Sequence, residues 1–111
     1  MEKLAWMNLL YDFYGQLLTD RQQKFVQLYY ADDLSLGEIA QQAGVSRQAV
    51  YDTIKRAQQV LTEYEEKLNL AEKYMAQRDK LLQVLELLPQ SGGERDCQRA
   101  RDILTELINS I

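Results

Sequence analysis

The chain has 111 residues, 46% of them hydrophobic, with a single proline and a net charge of −4. This length predicts one domain, or one domain with an appendage, and the scarcity of proline and glycine favours helices throughout. The acidic balance argues against a protein that binds any polyanion through many lysine and arginine contacts. The sequence has no histidine and one cysteine, which excludes histidine-based catalysis and a zinc site built within one chain. We therefore expect no enzyme activity, no metal and no cofactor.

Cys97 has no second cysteine with which to form an intrachain disulfide. Near the start of the chain, Asn8 and Asp12 interrupt the apolar residues, so an export signal is not expected. Both features predict a cytoplasmic protein. No segment is long and apolar enough to cross a bilayer, so membrane insertion is not expected either.

The first two predicted helices precede residue 34. Apolar residues recur at steps of three and four over residues 4–18, which predicts a first amphipathic helix. Thr19 is the expected N-cap of a second helix, which ends near Asp32 and Asp33 because two carboxylates are unfavourable at a helix C-terminus. The side chains of this helix that we expect to face inward are Phe25, Val26, Leu28 and Tyr29.

Residues 35–57 have the pattern of a helix-turn-helix. Ser35 and Glu38 have the spacing of a capping box at the start of a short helix. Gly44 supplies the left-handed backbone conformation that ends this helix, and Ser46 caps the next one. Apolar side chains at the spacing of one helical face join the two helices. They are Leu36, Ile39, Ala40 and Ala43 in the first, Val45 in the turn, and Val50, Ile54 and Ala57 in the second. Such a turn presents the second helix as a recognition helix to a major groove.

The exposed side of this second helix carries the candidate nucleic-acid-binding residues, which are Arg47, Gln48, Tyr51, Lys55 and Arg56. Arginine and glutamine can read base edges, basic side chains contact phosphates, and tyrosine stacks on an unpaired base. Residues 19–60 carry five basic and five acidic side chains, so a monomer is expected to bind weakly and with a strong dependence on salt. The alternative is a solvated polar surface without a ligand.

No helix breaker occurs between Ser46 and Pro89, and apolar residues follow steps of four and three there. We call the six clearest positions the seam: Leu61, Tyr64, Leu68, Met75, Leu82 and Leu85. One continuous helix would be about 63 Å long. Either it pairs with a second copy in a homodimer, or it breaks near Asn69 and folds back. We therefore divide the chain into a helix-turn-helix domain without a winged element, residues 1–60, and an extension for dimerisation or a hairpin, residues 61–111.

The end of the chain is predicted to be a loop and a last helix. Proline, serine and two glycines over residues 89–93 favour a loop. A helix from about Glu94 to Asn109 has an apolar face and is expected to pack as an antiparallel hairpin against the long helix. The predicted fold class is all-α, with a helix-turn-helix bundle, a long C-terminal helix and a final helix.

Several segments resemble known bacterial proteins. The segments LTDRQQ, LYY, SLGEIA and GVSRQAV resemble the fourth conserved region of sigma factors, in residues 18–23, 28–30, 35–40 and 44–50. Four segments are more similar still to the YlxM family. They are LYDFY (residues 10–14), LYYADD (residues 28–33), SRQAVYD (residues 46–52) and IKR (residues 54–56). This resemblance extends as far as Leu70.

The resemblance implies a small, all-helical, non-enzymatic regulatory protein with a sigma-like helix-turn-helix. The YlxM family is encoded beside the genes of the signal recognition particle, which implies a role in protein targeting through the particle's RNA or its protein. By analogy with sigma factors, the five candidate residues of the recognition helix occupy the positions that read nucleic acid. A dimeric DNA-binding transcriptional regulator is the alternative. Asp52 lies among the reading positions, which counts against promoter recognition because phosphates would repel it.

Overall fold

The computed structural model describes residues 2–88 and 95–110, and the regular structure within them is entirely helical. In chain order, these residues form α1 (Lys3–Tyr14), α2 (Asp20–Val26), α3 (Leu36–Ala43), α4 (Arg47–Leu68), α5 (Leu70–Leu87) and α6 (Arg95–Ser110). The predicted all-α class is confirmed. The chain divides into two compact units after Ala71, later than the boundary predicted at residue 60. Among the described helices, none combines the length and apolarity that a bilayer crossing requires.

Helix α1 is shorter than the helix predicted over residues 4–18. It ends at Tyr14 and is followed by a 3-10 turn over Gly15–Leu17. A Cβ atom on Gly15 would lie 2.9 Å from the ring of Tyr11, so a larger residue at this position would require that ring to shift. Apolar spacing continues through the turn, which is why periodicity alone extends the helix too far.

Helix α2 begins after Thr19, the predicted N-cap, and the structure shows that this cap is reciprocal. Thr19 Oγ1 accepts a hydrogen bond from the Gln22 amide at 3.2 Å, and Gln22 Oε1 accepts one from the Thr19 amide at 3.0 Å. At its other end α2 continues into a π-helical turn over Gln27–Ala31. This wider turn changes the direction of the side chains that follow it. The prediction that Tyr29 faces inward is therefore wrong, because 36% of its surface is exposed.

The helix-turn-helix over α3 and α4 is confirmed together with its caps. The Ser35 and Glu38 side chains each accept a backbone amide hydrogen bond at 3.1 Å, which completes the capping box. Gly44 ends α3 with a φ of +69°, and Ser46 Oγ accepts the Ala49 amide at 3.0 Å. One detail is wrong: Ala43 is exposed, because it is the last residue of α3 and the chain turns away directly after it.

Two clusters of buried side chains hold the first unit together, and α4 contributes to both. The first joins α1, α2 and α4 and consists of Leu10, Tyr14, Leu18, Val26, Ala57, Leu61 and Ala71. The second joins α2, α3 and α4 and consists of Phe25, Ile39, Ala40, Val50 and Ile54. Burying each large aliphatic side chain stabilises the fold by about 1.5–3 kcal/mol. These contacts fix the buried face of α4 and thereby the face that it exposes.

The long apolar stretch does not form one helix. Helix α4 ends at Leu68, Asn69 has a φ of +55°, and a new helix begins at Leu70. Asparagine is one of the few residues other than glycine that adopts this left-handed conformation readily. Of the two predicted alternatives, the break near Asn69 is therefore confirmed.

A buried polar pair stabilises this break. Glu65 is 7% exposed, and its Oε1 accepts hydrogen bonds from the Tyr14 hydroxyl at 2.7 Å and from the Ala71 amide at 3.0 Å. The Leu70 amide donates to the Tyr14 hydroxyl oxygen at 3.1 Å. The pair thus satisfies the first two N–H groups of α5, which have no partner within that helix.

In the second unit, helices α5 and α6 run antiparallel, as predicted. Arg78, in the first half of α5, donates to the carbonyl of Ile108 near the end of α6, at 3.1 Å. Arg101 of α6 donates to the carbonyl of Leu85 near the end of α5, at 2.9 Å. The departure from an apolar seam at Arg78 therefore has a structural role within one chain. The loop predicted over residues 89–93 lies outside the described residues.

Candidate nucleic-acid interface

The exposed face of α4 brings the five predicted nucleic-acid-binding residues together. All five are exposed, and Tyr51 is the large apolar side chain among them, with 44% of its surface accessible. They face outward because Val50, Ile54 and Ala57 are buried and the helix repeats every 3.6 residues. The predicted exposure of these five side chains is confirmed, whereas their role in binding and their ligand remain predictions.

Helical spacing arranges this face in two rows, since residues four apart are neighbours. Arg47, Tyr51 and Lys55 form the first row, which spans about 12 Å and has a cation at either end. The Lys55 ammonium lies 5.7 Å from the centre of the Tyr51 ring, within the range of a cation–π contact. A cation and an aromatic ring in contact are suited to a phosphate and an adjacent base.

The second row consists of Gln48, Asp52 and Arg56. The Gln48 side-chain amide donates to Asp52 Oδ1 at 2.9 Å, which holds the carboxylate along the helix. Asp52 is expected to repel phosphates, but the same face also carries three positive side chains that attract them, Arg47, Lys55 and Arg56. Arg47 and Arg56 are both exposed, so their guanidinium groups can contact a ligand.

A depression beside the first row was not predicted. Its volume is about 360 Å³, and its polar and aromatic lining comes from Lys3, Tyr29, Tyr51, Lys55 and Gln58. We call it the two-tyrosine pocket. Aliphatic atoms of Leu36 and Ile54 complete the lining. Residues of α1, of the π-helical turn and of α4 meet here only through the tertiary fold, so no local sequence signal indicates the pocket.

Tyr30 contacts two of the residues that line the pocket, Tyr29 and Gln58. Its ring lies edge-on to that of Tyr29, with 5.1 Å between the ring centres, and its hydroxyl accepts a hydrogen bond from the Gln58 side-chain amide. Burial raises the pKa of the Tyr30 hydroxyl, and nearby Tyr29 raises it further, against the opposing effect of the Gln58 hydrogen bond. The hydroxyl therefore stays protonated at neutral pH, and Gln58 and Tyr29 are held in place by a neutral partner.

The predicted seam does not form one surface along a continuous helix. Leu61 is 1% exposed within the first core cluster, and Tyr64 stacks on Tyr14 with 5.9 Å between the ring centres. Met75 and Leu85 are half-buried, whereas Leu68 and Leu82 are 46% and 37% exposed. A partner chain could therefore contact the last two directly but could not reach Leu61.

Neither a metal site nor a reactive cysteine site emerges in the part of the chain that the structure describes. No group of three histidine, cysteine, aspartate or glutamate residues there could hold a metal ion. Cys97 is half-buried on α6.

Comparison with known proteins agrees with this geometry. Residues 1–101 match the model of the UPF0122 family, whose description is "Putative helix-turn-helix protein, YlxM / p13 like". The chain belongs to this family. The sequence-based resemblance to YlxM is thereby confirmed, and it extends well beyond Leu70.

Relatives of similar length share about half of their residues with this chain. A UPF0122 protein of Desulforamulus reducens is 49% identical, over 97% of this chain and 95% of the relative. One of a Geobacillus species is 52% identical, over 85% of this chain and 86% of the relative. One of Streptococcus pneumoniae is 46% identical, over 98% of this chain and 96% of the relative. As a member of a helix-turn-helix family, the chain has the fold of a nucleic-acid-binding protein.

Proposed function

We propose that this chain is a non-enzymatic accessory protein of the signal recognition particle pathway, which binds the particle's RNA through the exposed face of α4. The observation that carries the proposal is the row of Arg47, Tyr51 and Lys55 on the second helix of a helix-turn-helix. Two cations flank an aromatic ring there, and Arg56 adds a third cation on the neighbouring row. This arrangement suits phosphates next to a base that is free to stack.

The link to the particle is supported by the family resemblance. Proteins of the YlxM type are encoded beside the genes of the particle, and the helix-turn-helix resembles the promoter-reading region of sigma factors. RNA is favoured over promoter DNA because the face has a tyrosine at its centre, which can stack on an unpaired base. The net charge of −4 further favours a ligand recognised at a few positions over non-specific binding to any polyanion.

The proposal is tested by fluorescence anisotropy with labelled particle RNA, titrated at several salt concentrations. The variant R47A/K55A/R56A should bind roughly tenfold or more weakly, and the slope of log affinity against log salt should become shallower by roughly 2, since up to three phosphate contacts are lost. Unrelated RNA and duplex DNA serve as competitors, and specific binding requires that neither displaces the labelled RNA at comparable concentration.

The matched control is K67A/K73A/K80A, which removes the same three positive charges from exposed positions outside the proposed face. We expect this control to keep the affinity and the salt slope of the unchanged protein. Equal losses in the two variants would mean that the net charge matters and α4 does not. Undiminished binding by R47A/K55A/R56A would reject α4 as the contact surface and direct the search to protein components of the particle.

The second candidate function is a dimeric DNA-binding transcriptional regulator. The exposure of Leu68 and Leu82 favours it, because a second copy would cover such side chains and a dimer doubles the number of phosphate contacts. It requires that a random pool of duplex DNA yields a two-fold symmetric site, with half-sites spaced as the dimer dictates. A pool in which no sequence is enriched would reject it.

A further inference from the structure

We propose that the two-tyrosine pocket accepts one unpaired nucleobase of an RNA whose paired stem lies on the exposed face of α4. This inference rests on the proposed function and names the feature of the RNA that the site would select. The pocket adjoins the recognition face directly, because Tyr51 and Lys55 belong to both. A base that is extruded from the stem next to these residues could therefore enter the pocket while the RNA backbone stays on the exposed face of α4.

The lining of the pocket has the chemistry of a base site. Tyr29 and Tyr51 are partly exposed aromatic side chains, 36% and 44% accessible, that can stack on a base. Lys3 and Lys55 supply positive charge for the neighbouring phosphates. The Gln58 amide group uses its N–H on Tyr30, which leaves its carbonyl oxygen to accept a hydrogen bond from the edge of a base.

Charge limits the occupant to a short piece of nucleic acid. Among the described residues, no aspartate or glutamate lines the two-tyrosine pocket. Two depressions that share lining residues with it do contain carboxylates: Asp33 and Glu38 line one, and Glu63 and Glu66 line the other. These carboxylates would repel a phosphate backbone that continued from the pocket into either depression. The pocket therefore suits a single extruded nucleotide, whereas a single strand running through it is disfavoured.

The size of the pocket is consistent with such an occupant. At about 360 Å³ it lies at the small end of the range for ligand pockets, roughly 300–1,000 Å³. The π-helical turn that places Tyr29 here is also a feature that occurs frequently at functional sites. In an unbroken α-helix, Tyr29 would follow the inward-facing direction that its spacing predicts.

The test uses three labelled RNA hairpins that share one stem: a fully paired form, a form with one bulged adenosine and a form with three bulged adenosines. Anisotropy gives the ratio of the affinities for each bulged form and the paired form. We expect the full-length protein to prefer the single bulge by roughly 5- to 140-fold, the range for stacking one base. The longer bulge should give no further gain of more than about twofold, since the pocket takes one base.

Substitution of Tyr29 tests the pocket apart from the recognition face. Tyr29→Leu should lower the preference for the bulge by roughly fivefold or more, whereas Tyr29→Phe should keep the preference because it keeps the aromatic ring. Phe13→Leu is the matched control, since Phe13 is an aromatic residue of similar exposure, 37%, that does not line the pocket. Lys3→Gln, at the exposed start of α1, gives a second variant that leaves the core untouched and should lower the same ratio.

The outcomes separate the two proposals. If the protein binds paired and bulged hairpins equally, the pocket proposal is overturned while RNA binding by α4 stands. If it prefers the bulge but Tyr29→Leu and Lys3→Gln keep that preference, the base is recognised elsewhere and the pocket proposal is again overturned. If it binds none of the hairpins and no particle RNA, the proposed function fails and the pocket proposal fails with it.

Discussion

The two units of this chain bury their apolar residues very differently, although the sequence gives both the spacing of amphipathic helices. Among the described residues, twelve buried hydrophobic residues lie in the unit that ends at Ala71, whereas the second unit has one, Ile108. There, Leu82, Leu87 and Leu107 are 37%, 83% and 45% exposed. Spacing predicts that a helix has an apolar face, but it does not determine what covers that face.

The first way to test this difference is to remove one leucine from each kind of environment within the same helix. Leu61→Ala should destabilise the protein by about 2–5 kcal/mol, because Leu61 is 1% exposed and a cavity would remain. Leu68→Ala, seven residues further along α4, should cost less than about 1 kcal/mol in the monomer, because Leu68 is 46% exposed in the single chain. Urea unfolding at a protein concentration too low for a dimer measures both. A similar large cost for both at that concentration would contradict the difference between the two environments.

The polar pair at the end of the first unit provides the next effect in size. Tyr14→Phe removes the donor to Glu65 and the acceptor for the Leu70 amide, so it should cost about 1–3 kcal/mol. Leu18, at the end of the 3-10 turn, offers a comparison without polar groups: Leu18→Met should cost less than about 1.5 kcal/mol. If Tyr14→Phe destabilises the protein less than Leu18→Met does, the polar pair does not stabilise the break at Asn69.

The same pair should give stability a dependence on alkaline pH. Burial, with the hydrogen bond to Glu65, raises the pKa of Tyr14 above the value of 10.0 for free tyrosine. The unfolded chain therefore loses this proton first, so the stabilisation is complete below pH 10 and is lost as the pH rises above it. Urea unfolding at about pH 8 and about pH 11 should show a smaller decrease for Tyr14→Phe than for the unchanged protein. Part of the decrease will remain, because the pKa of Tyr30 is raised as well. Identical decreases would contradict this role of Tyr14.

Two glycines of the helix-turn-helix should respond to alanine with opposite signs. Gly44 has a φ of +69° and no atom within 4 Å of an added Cβ, so Gly44→Ala should cost about 1–2 kcal/mol through backbone strain alone. Gly37 lies inside α3, and the nearest atom to its added Cβ is 3.9 Å away. Gly37→Ala should therefore stabilise the protein by about 0.5–1 kcal/mol. If Gly37→Ala destabilises the protein as Gly44→Ala does, another group must occupy the space beside Gly37.

Local rules were sufficient for the turn and its caps but not for the site beside them. Thr19, Ser35, Gly44 and Ser46 could be assigned from sequence because each satisfies backbone groups within a few residues of itself. The exposed face of α4 followed from the same periodicity that identified its buried face.

The features that sequence analysis missed depend on distant contacts or on an unusual backbone. Sequence analysis did not single out Glu65, which is buried and accepts a hydrogen bond from Tyr14, fifty-one positions away. Tyr29 was assigned to the core because an ordinary α-helix would place it there, and the π-helical turn directs it to the surface. The two-tyrosine pocket combines both difficulties, since Lys3 and Tyr29 reach α4 only through the tertiary fold.

The smallest expected effect on stability concerns two seam residues, Leu68 and Leu82, which are exposed in one chain and would be covered in a homodimer. We expect a homodimer that covers Leu68 and Leu82, so L68Q/L82Q should shift the mass measured by light scattering at micromolar concentration from dimer to monomer. Within the monomer these exposed positions should change stability by no more than about 0.5 kcal/mol each. The midpoint of unfolding of the unchanged protein should rise with protein concentration, and that of the variant should not, because association stabilises only the folded state. Leu17→Gln is the control, since Leu17 is 55% exposed but lies outside the seam. A monomeric unchanged protein would reject the dimer and leave the break at Asn69 as the way in which the chain divides its long apolar stretch.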